Sequence, residues 1–303
     1  MSLTSTPSRP SRSLPNLTAR LRRGVIPALA LLASTAFADT GFDGKPAVQP
    51  DQPVILYDGD KVNDLSQFYT WLQEHKYEDP NRVFTVVDQV DGAPAIRISG
   101  QDWGGIVTRQ AYKNYKLVLE FRWGTVTWGN RKDRARNSGV LLHCIGEDGN
   151  YRADFNAPWI ASVEYEILQG RTGDIILVSG FEPGSSDPIL PRLTMQAQPE
   201  DRYWDPKGEP REFVSRKGHL HWYGRDREWK DELDFYGDQE VEKPTGEWNH
   251  VEAVMKDGDL TYYLNGVKVM EGTKGTLTEG RLLFQSEGAE IFFRKIELHP
   301  LTP

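Results

Sequence analysis

The sequence predicts an all-β protein made of two packed antiparallel sheets. Short runs rich in Val, Ile, Leu and aromatics recur along the chain, Gly, Pro, Asp and Asn punctuate them, and helical periodicity is nearly absent. Asp39 to Pro53 is rich in Pro, Gly and Asp and reads as an extended lead-in. Leu65 to His75 has the spacing of one short helix. Strands are then expected over Val83–Val87, Ala95–Ser99, Gly105–Arg109 and Tyr115–Trp123, followed by Val140–Ile145, Val163–Leu168 and Ile175–Val178. The closing set is Trp248–Val254, Leu260–Leu264, Leu282–Ser286 and Ile291–Leu298. Asn265-Gly266 marks a tight hairpin turn, because Gly accepts positive φ without a Cβ clash. Phe181 to Lys217 has little periodicity and reads as an insertion shaping a site rim. Within it, Tyr203 and Trp204 either close over a ligand or pin the loop to the sandwich, the second being favoured. The polar, aromatic segment His221 to Pro244 is expected on the exposed side.

Residues 1 to 38 are read as a secretory signal. Five arginines and no acid precede a short apolar run, Val25 to Leu32, and Ala36-Phe37-Ala38 supplies small residues for cleavage after Ala38. The run is too short to span a bilayer as a helix. Arg22-Arg23 is a weak match to twin-arginine export. Residues 39–53 then lead into a single domain over 54–303, expected to be periplasmic or secreted with no membrane span after cleavage. Without the leader arginines the balance is 31 basic to 44 acidic residues, a net charge of −13. Phosphate-backbone binding needs clustered basic groups, so nucleic acid is excluded as a partner. Cys144 is the only cysteine; it allows no internal disulfide and reads as a small buried hydrophobe.

Strand parity sorts the candidate site. Leu117, Leu119, Phe121 and Trp123 share one side of their strand, opposite Val118, Glu120 and Arg122. Val140, Leu142 and Cys144 oppose Leu141 and His143; Val163, Tyr165 and Ile167 oppose Glu164 and Glu166. Burying the apolar set of each predicts a polar concave face carrying Glu120, Arg122, His143, Glu164 and Glu166. Ordinary surface carboxylates on a solvated sheet are the plainer alternative. Glu164 and Glu166 would sit about 6 to 7 Å apart on one strand, close enough for one to stay charged while the other is protonated. Asn137, Gln285, Trp128, Trp159 and Arg171 are candidate sugar-binding groups, although core packing for Trp103, Trp128 and Trp159, or an Arg171–Asp174 pair, would explain them as well. Arg294 either reaches the concave face or lies at its edge. His219 and His221 have the spacing of metal ligands on a strand but no third ligand, so a surface or loop role is favoured. No cofactor is required by the sequence; a structural or catalytic divalent metal such as calcium is an option, although no loop matches an EF-hand.

The runs GGIVTRQAYKNYKLVLEFRWG, NSGVLLHC, SVEYEILQGRTGD, KPTGEWNHVEAVMKDGDLTYYLNG and EIFFRKIEL resemble the 3-keto-disaccharide hydrolase family of secreted bacterial proteins. The resemblance covers roughly Val54 to His299. It implies a concanavalin-like jelly-roll sandwich acting on glycosides oxidised at C3 of a sugar ring, with a separate sugar 3-dehydrogenase acting upstream. The family often has Gln where this chain has Glu166, so the essential role is expected of Glu164.

The chemistry can be argued independently. A ketone at C3 acidifies the C2 proton; a carboxylate removes it, the enolate expels the C1 oxygen, and water adds back. The enolate needs a cationic or hydrogen-bonding neighbour, and the departing oxygen needs an acid or a metal-polarised water. The expected assignment is Glu164 as base, His143 or Arg122 at the oxyanion, and Glu166 as acid or orienting group. Direct displacement by paired carboxylates is the competing mechanism. A non-catalytic carbohydrate-binding protein of the envelope, and a scaffold in an envelope complex, are the alternative functions.

Overall fold

A computed structural model describes residues 41–42 and 44–301. The signal-peptide reading of residues 1–38 lies outside the described residues. In chain order the strands are β1 (Val54–Tyr57), β2 (Phe68–Leu72), β3 (Phe84–Val90), β4 (Ala93–Ile98), β5 (Gly104–Thr108), β6 (Tyr112–Lys113), β7 (Tyr115–Thr127), β8 (Asn137–Ile145), β9 (Ala161–Leu168) and β10 (Ile175–Val178). They continue as β11 (Gly180–Phe181), β12 (Pro188–Ile189), β13 (Arg192–Ala197), β14 (Glu209–Val214), β15 (Asn249–Lys256), β16 (Asp259–Leu264), β17 (Val267–Gly272), β18 (Glu279–Ser286) and β19 (Ala289–Pro300). An eight-stranded back sheet runs β17-β16-β15-β7-β19-β4-β3, with β1 also on β19. A seven-stranded front sheet runs β10-β9-β8-β18-β5-β2, with β6 on β18. The named strands pair antiparallel throughout. This is a jelly-roll sandwich of two antiparallel sheets. Among the described residues no helix is long and apolar enough to cross a membrane.

The alternation within strands makes the sandwich. Leu117, Leu119, Phe121 and Trp123 of β7 face Val140, Leu142, Val163, Tyr165 and Ile167 of the front sheet in one continuous core. Each such side chain contributes about 1.5–3 kcal/mol by leaving water. Asn265 and Gly266 both take positive φ, at 49° and 81°, and join β16 to β17 as a tight hairpin. The lead-in stays extended: Val48 bridges Tyr112 in parallel.

The helix expected over Leu65 to His75 is instead strand β2, paired to β5 from Phe68–Thr108 to Leu72–Gly104. Leu65, Phe68, Tyr69 and Leu72 do have helical spacing, but both faces of this segment are apolar. Phe68 and Leu72 enter the main core, while Tyr69 and Trp71 enter a second cluster with Leu141 and Cys144 on the other side of the front sheet. A strand supplies two apolar faces at period two.

A bulge corrects the parity of β8. His143 has φ 54°, and the register shifts between Leu142 and Ile145 against β9 and between Arg281 and Leu283 against β18. The inserted residue reverses the alternation. Cys144, expected inward, joins the outer cluster. His143, expected on the open face, turns into the core, where its ring meets Tyr115 edge-on at 5.6 Å. Gly280 permits the bulge: a Cβ there would stand 2.4 Å from the His143 carbonyl carbon.

The expected shared face of Glu120, Arg122 and Glu164 also fails. Glu120 and Arg122 lie on β7 in the back sheet, whereas Glu164 and Glu166 lie on β9 in the front sheet. Parity assigned each residue to the side away from the core, but those sides belong to opposite faces of the sandwich. There Glu120 pairs with Arg294 and Lys295, and Arg122 pairs with Asp91 at 2.6 Å. Arg294 lies over Trp248 at 3.9 Å and belongs to the same outer surface.

Candidate active site

Outside the front sheet lies a cleft of about 450 Å³. Its floor follows from strand register. Glu164 pairs across β9 and its neighbours with Ile176 and Leu141, while one ladder step on, Glu166 pairs with Gly139. Gln285 on β18 pairs with Gly105 on β5. A methyl group at position 139 would stand 2.5 Å from both Glu164 Oε1 and Gln285 Oε1, so this glycine lets the two side chains meet over β8. Asn137 and Trp159 complete the floor and one wall, with Trp159 backed by Trp103 at 6.2 Å between ring centres.

Six of the candidate residues therefore converge: Glu164, Glu166, Asn137, Trp159, Arg171 and Gln285 all line the cleft. Glu120, Arg122 and His143 do not. Trp128 is also outside the lining; its Nε1 donates to Ser99 O at 2.9 Å and its amide to Gly288 O at 2.8 Å, which fastens the turn carrying Arg131.

The electrostatics come from burial. Glu164 and Glu166 are 4% and 1% exposed. Burial, then the charges of Glu166 and Glu287, hold the Glu164 carboxyl well above the usual carboxylate range. Burial likewise pushes Glu166 up to about 8, against the opposing charge of Arg171. Because the Glu166 charge acts on Glu164, the two lose their protons in linked steps. Glu166 Oε2, Asn137 Oδ1 and Gln285 Oε1 are buried oxygens without a hydrogen-bond partner in the described structure. Buried polar atoms are normally satisfied, so these three oxygens have capacity left to accept from a hydroxyl in the cleft.

A positively charged flank is organised by Asp174. This fully buried carboxylate accepts from Arg171 Nε at 3.1 Å, His221 Nδ1 at 2.8 Å and the Trp222 amide at 3.0 Å. Burial alone would raise its pKa, but His221, Arg171 and Arg225 hold it below the usual range. Arg171 also lies 2.6 Å from His219 Nδ1 through Nη2. Burial and the Arg171 charge push His219 down to about 3, so the ring is neutral and accepts at Nδ1. That leaves its proton on Nε2. His219 Nδ1 is 3.6 Å from Glu166 Oε2. His143, by contrast, is held near 4 by burial, and its Nδ1 lies 3.1 Å from Leu277 O.

Sequence reasoning did not assign His219, Glu287, Arg131 or Trp229 to the site, yet all line the cleft. Glu287 had a readable signal: it is two residues beyond Gln285 and shares its face. Burial raises it to about 7, against the Arg131 charge and an Asn137 hydrogen bond. His219 and Trp229 stand on loops, and Arg131 ends a short 3-10 helix, Gly129–Arg131. Trp229 is fixed by donation from Nε1 to Gln169 O at 3.0 Å, and Arg131 by Asp231 at 3.0 Å. Trp204 is buried in the core and so pins its loop; Tyr203 accepts from Arg225 Nη1 at 2.5 Å. Among the described residues no group of three or more His, Cys, Asp or Glu is disposed to hold a metal ion.

The model of the 3-keto-alpha-glucoside-1,2-lyase-like domain family matches residues 53–299. No functionally curated protein matches the chain. Among solved structures, a candidate glycosyl hydrolase from Parabacteroides distasonis is 18% identical, with 85% of this chain and 100% of that chain covered at a TM-score of 0.46. A second structure of that description, from the same organism, gives 18% identity, 83% and 100% coverage, and a TM-score of 0.45. A carbohydrate binding module from Bacillus subtilis is 11% identical, covers 71% of this chain and 91% of its own, and has a TM-score of 0.35.

Proposed function

Because the chain belongs to the 3-keto-alpha-glucoside-1,2-lyase-like family, a carbohydrate-acting family, we propose that it cleaves 3-keto-glycosides or 3-keto-disaccharides by elimination and rehydration. The observation that supports this most is the pair of buried carboxyls, Glu164 and Glu166, one ladder step apart in a cleft edged by unsatisfied acceptor oxygens. Such a pair holds a proton near neutral pH and can both take and give one.

Burial favours a proton on Glu164, so the reactive form is the one in which the pair's proton rests on Glu166 and ionised Glu164 removes the C2 proton. The electrons form the C1–C2 double bond as the C1–oxygen bond breaks, and the departing oxygen takes up a proton from solvent, with Glu166 assisting as acid or orienting group. Charge on the ketone oxygen during this step is met by the Nε2–H of His219, with Arg171 behind it. Water then adds at C1 and a proton at C2, giving the free 3-keto sugar. Asn137 and Gln285 hold hydroxyls, and Trp159 offers an apolar sugar platform. The substrate's ketone must come from a separate sugar 3-dehydrogenase. On the leader sequence, we place the reaction in the periplasm or outside the cell.

The test compares a 3-keto-disaccharide with its unoxidised parent in deuterated water. Cleavage confined to the keto substrate, with deuterium appearing at C2 of the product, is expected. Equal cleavage of the parent would assign an ordinary glycosidase. Keto-selective cleavage without C2 deuterium would assign direct displacement, and saturable binding without turnover would assign a carbohydrate-binding protein.

A further inference from the structure

We propose that the end of the cleft beyond Glu164 binds an anionic group, a carboxylate or phosphate, carried on a second sugar ring, and that Arg216 is its receptor. The cleft has three arginines in its lining, Arg131, Arg171 and Arg216. Arg131 is paired with Asp231 at 3.0 Å and Arg171 with Asp174 at 3.1 Å. Among the described residues, no carboxylate lies within ion-pair distance of Arg216. Its guanidinium is nevertheless held in place. Nε donates to the buried Ser179 Oγ at 3.0 Å, and Cζ lies 5.0 Å from the Phe181 ring centre. The backbone at Arg216 takes φ 66°, a conformation disfavoured for a side chain of this size. Among the described residues neither terminal nitrogen has a protein acceptor. A guanidinium oriented through Nε, with its Nη groups unclaimed, is suited to an anionic oxygen pair.

The strand ladder places this group relative to the carboxyls. Glu164 pairs with Ile176, and the next residue on that face of β10 is Val178, which pairs with Ser162; Ser179 follows directly. One such step along a strand is about 7 Å, comparable to the length of one sugar ring. Glu166 lies one step the other way. A ring over Glu164 thus leaves its neighbour beside Ser179 and Arg216, with Tyr151 and Trp159 also in the lining. The neighbour's identity as leaving group or retained sugar rests on the cleavage reading; the charge preference does not.

The experiment is calorimetric titration of the purified protein with methyl β-D-glucuronide, glucose 6-phosphate and neutral methyl β-D-glucoside. One or both charged probes should bind about 5- to 20-fold more tightly than the neutral one, the scale of a partly exposed charge-assisted contact. The comparison of uronate with phosphate identifies the anion. The preference should shrink in high salt, vanish in Arg216→Gln and persist in reduced form in Arg216→Lys, with unchanged thermal midpoints showing that the variants fold. Equal affinity for all probes, an undiminished preference in Arg216→Gln, or no saturable binding of either charged probe would overturn the subsite. A charge preference without cleavage of any 3-keto-disaccharide would leave the subsite standing and remove the cleavage reading; cleavage without a charge preference would do the reverse.

Discussion

Glu164 and Glu166 lie two residues apart on one strand, and their proton equilibria follow from that spacing. Glu164→Gln keeps the shape and loses the base, so turnover should fall about 10²- to 10⁴-fold. Glu166→Gln keeps the shape and removes a charge that raises Glu164. The Glu164 pKa should then drop, much activity should remain, and the acidic limb of the kcat/KM profile should move to lower pH. A limb that stays in place would show that Glu164 is not the group it reports. His143 makes the opposite forecast. His143→Asn suits the left-handed backbone but cannot fill the core site, so it should cost about 1–3 kcal/mol in urea unfolding while kcat changes little. The carboxyl pair was legible in the sequence because β9 runs without interruption and parity therefore holds. The His143 environment was not, because a bulge is set by strand pairing. His219 comes from a loop and Arg131 from a single 3-10 turn, whose positions over the sheet depend on tertiary contacts such as Arg171–His219 and Arg131–Asp231.

At the scale of elements, the β8 bulge and its neighbour β18 depend on the absence of a side chain at Gly280. A Cβ would press on the His143 backbone at 2.4 Å, where no flexible side-chain tip can move aside. Gly280→Ala should therefore destabilise the fold by about 1–3 kcal/mol, seen as a lower urea midpoint. Because β8 and β18 also carry Asn137 and Gln285, it should weaken sugar binding as well. The nearest atoms to an added Cβ in Gly139→Ala are carboxyl and amide ends, so the same unfolding measurement should show the smaller loss. The long alternating strands β7, β9, β15 and β19 were legible because apolar residues fall on one side. β2 was obscured by a coincidence of helical spacing with two apolar faces. In β13, Leu193, Met195 and Ala197 alternate with more exposed residues, a readable period hidden by the polar sequence around it. β17 was missed although its hairpin was read, since Val267 and Lys268 are both exposed at its start.

Over the whole molecule, the cleft and core together bury several groups whose ionisation opposes folding, and their sum should appear in the pH dependence of stability. Glu166 is raised to about 8, Glu242 and Glu287 to about 7, and Glu164 well above the usual carboxylate range, each first by burial. A carboxyl with a raised folded pKa binds its proton more tightly in the native state. Its stabilising contribution is present below the unfolded value near 4.5 and is lost as pH rises to the folded value. His143 and His219 act in the other direction, since burial lowers them to about 4 and about 3. Their contribution grows as pH rises and is complete just above the unfolded histidine value near 6.5. Carboxylates with lowered values, such as Asp174, have already delivered theirs. From about pH 6.5 to 8, then, the raised carboxyls dominate and stability should decline. Thermal unfolding at pH 6.5 and pH 8 should show a lower midpoint at the higher pH. Glu166→Gln should flatten the slope, because it removes one titrating carboxyl and lowers the value of Glu164. A midpoint independent of pH across that window, or the same slope in the variant, would mean that these carboxyls are not held protonated in the folded protein, and the proton sharing assigned to the cleft would fail with it.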